Sequence, residues 1–117
     1  MAGTPKLIAA PAFLSSSIAN IFTPNAALKY QITHIHVTNN TAGAVTFSLG
    51  VSTTADLAAG KELVKDYSLA AKGTSASSFD LYDGPTLDGS VASHFLTGIA
   101  SAGSSLIITV NGYISAL

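Results

Sequence analysis

The chain has 117 residues, eleven of them charged (five lysines and six acids), with no arginine, no cysteine and a formal net charge of −1. One domain of this length buries about two-thirds of its unfolded surface, and a 48% apolar fraction places it outside the disordered class. The lysines are scattered singly, which excludes tight nucleic-acid binding through a basic stripe, and the missing cysteines exclude disulfides and thiolate metal sites.

Residues 1–14 run from Met1 through Pro5 and Lys6 into an apolar stretch broken by Pro11. Prolines and a single charge argue against a cleaved leader, so this stretch is expected to be either an N-terminal arm or a first strand, ahead of a β-sandwich domain over 15–117. No run approaches the roughly 20 apolar residues of a membrane span, so no membrane partner is expected, and the product is expected to be made in the cytoplasm of its host.

Beyond residue 15 period 2 dominates. Residues 18–23 and 28–38 read as strands separated by Pro24 and Asn25. Ile32 and Ile35 have opposite parity, so the second strand must change face at a bulge or be covered on both sides. Val45, Phe47, Leu49 and Val51 alternate with small polar residues. Residues 54–60 carry helix formers before a glycine and predict one helical turn. Residues 63–69 read as a less regular strand suited to an edge. Phe79 and Leu81, the odd residues from Val91 to Ile99, and Leu106, Ile108 and Val110 complete the series.

The breaks carry turn chemistry: Asn39-Asn40-Thr41-Ala42-Gly43, Lys72-Gly73, Asp83-Gly84-Pro85, Asp88-Gly89 and Ala102-Gly103-Ser104. Turns every 10 to 15 residues or so predict an all-β fold, an antiparallel β-sandwich or jelly roll of about eight strands. Its expected core is Ile32, Ile35, Val37, Val45, Phe47, Leu49, Phe79, Leu81, Phe95, Leu106, Ile108 and Val110. The runs 28–38 and 104–114 are apolar enough to require central positions or a covering subunit.

Chemistry is sparse. His34 and His36 lie two apart on a predicted strand and so share a face, about 6.6–6.8 Å apart along the chain. This pair, with His94 as a third ligand, is the arrangement a metal would use. His-x-His on a strand resembles the metal-binding cupins, but the acid a cupin places shortly after the second histidine is missing, because no acid precedes Asp56. The expectation is strand histidines bonded to neighbouring groups and no required metal or other cofactor. Asp80 with Asp83, or Asp83 with Asp88, has the spacing of a paired-carboxylate or calcium site, read more simply as turns. No serine sits in a nucleophile elbow, so no catalytic residue is assigned and no enzyme is expected. Tyr30, Tyr67, Tyr82 and Tyr113 lie on four different predicted strands, which favours packing over a sugar platform.

With 19 Ala, 15 Ser, 12 Thr and 10 Gly, the chain can meet another protein surface without stranding buried charge. The segment from Tyr30 through His34-Ile35-His36-Val37-Thr38-Asn39 to Leu49, and the closing Leu106-Ile-Ile-Thr-Val-Asn-Gly-Tyr-Ile114, resemble small β-sandwich virion proteins of tailed bacteriophages. That resemblance implies a non-catalytic virion structural protein, foremost a decoration protein on the outside of the head whose partner is the major capsid protein. A head–tail connector or tail component, and a carbohydrate-binding module of the adsorption apparatus, are the alternatives. A homo-oligomer is expected, a trimer before a dimer, because few charges protect the strand edges.

Overall fold

A computed structural model describes the backbone of residues 4–6 and residues 7–53, 57 and 62–117 in full. The helical turn expected over 54–60 lies outside the described residues, apart from Leu57. The described residues form nine strands: β1 (Thr4–Phe13), β2 (Ala19–Asn20), β3 (Leu28–Asn39), β4 (Val45–Ser52), β5 (Glu62–Leu69), β6 (Ser78–Tyr82), β7 (Thr86–Asp88), β8 (Phe95–Ala100) and β9 (Leu106–Ala116). One sheet runs β1-β9-β3-β6, with β7 also on β3, and the other runs β2-β8-β4-β5. All pairings are antiparallel. Counting β6 and β7 as one interrupted strand, this is the order of an eight-stranded jelly roll.

The two long apolar runs, β3 and β9, are the central strands of the first sheet and pair from Leu28 opposite Ala116 to Asn39 opposite Leu106. Their register shifts between Ile32 and His34. The extra residue, Thr33, is a bulge, the first of the two arrangements that the parity of Ile32 and Ile35 allowed. Tyr30 and Ile32 face the core before it, Ile35 and Val37 after it, and all four are buried. On the other side of β3, Asp83-Gly84-Pro85 interrupts the neighbouring strand at the same level: the Asp83 N–H donates to the Thr33 carbonyl at 3.0 Å and the Ile32 N–H to that of Pro85 at 3.1 Å. Asp83 has φ 55°, a conformation that an aspartate tolerates in a turn.

Nine of the twelve expected core residues are buried, and Phe79 and Leu81 pack against the cluster from a partly buried position. Phe95 is the correction. Residues directly opposite in an antiparallel pair share a face, and β4 places Phe47 opposite Ala100, Leu49 opposite Gly98 and Val51 opposite Leu96. The even residues of β8 therefore fill the core, and small Gly98 and Ala100 leave room for Phe47 and Leu49. Leu14, Tyr30, Leu69, Leu87 and Leu96 join the core as well, each leucine contributing about 1.5–3 kcal/mol of burial.

Of the stretch 18–23 only Ala19 and Asn20 form a strand, against Gly98 and Thr97. The irregular strand β5 is an edge, as its pattern suggested. Its kink is at Asp66 (φ 48°), whose N–H donates to the Ser48 hydroxyl at 2.9 Å.

Candidate functional site

The bulge at Thr33 also decides where the histidines go. With Ile35 and Val37 turned inward, His34 and His36 project from the outer face of the first sheet. On β6, Phe79 and Leu81 turn inward, so Ser78, Asp80 and Tyr82 share that outer face. Register sets His36 opposite Asp80 and His34 opposite Tyr82. The Asp80 carboxylate lies between the two imidazoles, its Oδ1 2.7 Å from His34 Nε2 and 2.7 Å from His36 Nδ1. These three side chains are 28%, 38% and 35% exposed in the order His34, His36, Asp80. The Tyr82 ring stacks on His34 with centroids 4.7 Å apart and planes 8° from parallel.

Hydrogen bonds from His36 first, then from His34, hold the Asp80 carboxyl below its ordinary value, with a smaller contribution from the imidazole charges and a partial offset from burial. An ionised carboxylate only accepts, so each contacting ring nitrogen carries its proton. Among the described residues, the group of three or more metal-ligating side chains brought together is His34, His36 and Asp80, with all ligand atoms within 4.8 Å of one another.

His94 is not part of it. Its Nδ1 accepts the Asp88 N–H at 3.0 Å, which ties down the loop after β7. Asp88 is bonded instead to Ser90, whose hydroxyl donates at 2.6 Å and whose N–H donates at 2.9 Å. The Ser90 hydroxyl, then the Ser90 N–H, lower the Asp88 carboxyl from its ordinary value. Asp83 occupies the strand interruption. Neither aspartate pair suggested by spacing belongs to a group of three or more ligating side chains among the described residues; the carboxylate that the histidines use comes from a strand more than 40 residues away in sequence.

The tyrosines serve separate purposes. Tyr30 is buried and its hydroxyl accepts the Asn25 N–H at 2.8 Å. Tyr67 packs with Phe47 and Phe79, and Tyr82 covers His34. A second polar centre, not anticipated from sequence, is Asn39. This buried side chain donates to the carbonyls of Gly43, Ala70 and Leu69 and accepts from the Thr41 N–H and hydroxyl. It fastens the end of β3 in one sheet to the exit of β5 in the other.

Chemically, the outer-face cluster can order a carboxylate, exchange protons or hold a cation. Asp80 is the hydrogen-bonding partner of both imidazoles.

A different surface stands out at the free edge of the first sheet. Residues 7–28 contain no charged side chain. Within this stretch Leu7 and Phe13 on β1 are each 52% exposed. A cleft at the Phe13 end of β1 is lined by Phe13, Ala19, Ile21, Gly98 and Ile108, among others. No helix among the described residues is long and apolar enough to cross a membrane.

No protein-family model matches the chain, and no curated protein sequence does. Solved structures do share its fold. A subunit of Bacillus endospore appendages, described as disulfide-linked pili, superposes with TM-score 0.52 at 12% identity, over 97% of this chain and 88% of that one. A chain of infectious bursal disease virus, Gx strain, gives TM-score 0.48 at 10% identity, over 95% of this chain and 31% of that one. A pentameric capsid protein from metagenomic phage sequences gives 0.36 at 15% identity, over 88% and 60%. The first likeness is one of fold, and the other two are too weak to argue from.

Proposed function

We propose that this chain is a non-catalytic structural protein of a virion, a decoration protein that binds the outer surface of a phage head. The observation that carries this reading is the free edge of the first sheet, where Lys6 is the one charged residue of β1. β1 ends its sheet, so among the described residues one row of its backbone N–H and C=O groups has no strand partner. Monomeric proteins blunt such an edge with charge, proline or a bulge. Here Pro5, Pro11 and two register shifts against β9 interrupt it, but no charged side chain from 7 to 28 repels a second surface. Leu7 and Phe13 add exposed apolar area where pairing would occur. An edge of this kind suits permanent contact with another protein.

Homo-oligomers close such surfaces by symmetry, and a trimer on a threefold position of a shell would bind with combined avidity. A pilus role through disulfide links does not suit these 117 residues, which contain no cysteine. The expected behaviour is a homo-oligomer in solution, a trimer in preference to a dimer, read by multi-angle light scattering at micromolar concentration. Leu7→Asp with Phe13→Asp places charge on the edge and is expected to reduce the species to the 11.8 kDa chain. A wild-type oligomer unchanged by both substitutions would rule out this edge as the contact.

A further inference from the structure

We propose that His34, His36 and Asp80 form a binding site for a divalent cation of the zinc class on the outer face of the jelly roll. This site is independent of the edge and of any role in assembly. Two imidazole nitrogens and one carboxylate oxygen converge there, a donor set that suits zinc and its transition-metal neighbours and does not suit calcium or magnesium, which want oxygen ligands. Zinc–nitrogen and zinc–oxygen bonds of about 2.0–2.2 Å put the ligand atoms of a tetrahedral site about 3.3 Å apart. The present contacts of 2.7 Å, within a cluster spanning no more than 4.8 Å, bracket that spacing. An ion enters after an opening of roughly 0.6 Å between each imidazole and the carboxylate, within reach of small side-chain rotations.

Three features favour occupancy. The cluster is already assembled by β3–β6 register and by the Tyr82 stack on His34, so little side-chain freedom remains to be lost on binding. The side chains bonded to the Asp80 carboxylate are the two histidines, and among the described residues no lysine pairs with it. A neutral imidazole becomes a ligand by moving its proton from the contacting nitrogen to the other ring nitrogen, so binding exchanges two hydrogen bonds for three metal bonds. Three protein ligands leave the fourth position open to water or to a donor from a neighbouring molecule. The core is complete on the opposite side of the sheet, so the metal is not needed for folding.

Isothermal titration of the tag-free, chelator-treated chain with zinc chloride tests this. The expected result is one zinc per chain, weakened by more than about tenfold in His36→Ala and in Asp80→Asn. His94→Ala serves as the control, since that imidazole lies outside the cluster, and is expected to bind as the parent does. Far-UV circular dichroism confirms that each variant is folded; should one unfold, His34→Gln replaces it in the comparison. Absence of saturable binding, or equal binding by the parent, His36→Ala and Asp80→Asn, would overturn the proposal.

Discussion

Gly112 is where the account of the fold can be tested most sharply by one atom. It sits on β9 opposite Ile32, next to the bulge that turns His34 and His36 outward. A Cβ there would lie 2.1 Å from the Gln31 carbonyl oxygen and 2.8 Å from Ile8 Cδ1. The first distance falls about 1.3 Å short of ordinary van der Waals contact, which begins near 3.4 Å. Ile8 can yield by rotating. Gln31 cannot, because it belongs to a backbone paired on both sides, with Tyr113 and with Thr86. Relief must come from separating the two central strands at the bulge, which places Gly112→Ala at the upper end of overpacking costs, about 3 kcal/mol. An unfolding entropy of about 2.1 cal/mol/K per residue gives roughly 0.25 kcal/mol/K for a chain of this size, so Tm should fall by about 12 °C. Calorimetry of Gly112→Ala beside Gly43→Ala, whose added Cβ meets nothing within 4 Å, supplies the comparison. The Gly43 variant should stay within about 0.5 kcal/mol of the parent. A Gly112 variant as stable as the Gly43 variant would refute the close strand approach and with it the bulge geometry.

Asn39→Ala removes a buried hub that bonds three carbonyls and Thr41, and should cost about 2–3 kcal/mol in urea unfolding without a change of fold. The Ser90 hydroxyl and N–H hold the Asp88 carboxyl below its ordinary value. Its contribution to stability is therefore present above the unfolded value and lost as pH falls through the folded one, and carboxyl carbon NMR should place its midpoint below that of an ordinary aspartate, moving upward in Ser90→Ala.

The parts of this fold that could be read from sequence are those set by local alternation. Ile35, Val37, Val45, Phe47 and Leu49 each announce an inward face, and the parity conflict between Ile32 and Ile35 announces the bulge. The face of β8 could not be read that way. Its odd residues look apolar, but its inward set is Leu96, Gly98 and Ala100, chosen by the bulk of Phe47 and Leu49 across the pair. That is a tertiary preference for small residues, invisible along one strand. The outer-face cluster was half legible. His34 and His36 stand out by spacing, whereas Asp80 joins them through β3–β6 register. The alternation of Ser78, Asp80 and Tyr82 with Phe79 and Leu81 gave the signal for its face but not for its partner. His94, chemically equivalent on paper, is drawn away by the Asp88 N–H.

The proposed place of this jelly roll in a virion head is tested most directly by quantitative mass spectrometry of virus particles purified from the source of this chain, with heads and any tails separated. A head component is expected in the head fraction, in many copies and in fixed ratio to the major capsid protein. Absence from the particles, or confinement to a tail fraction, would contradict that placement.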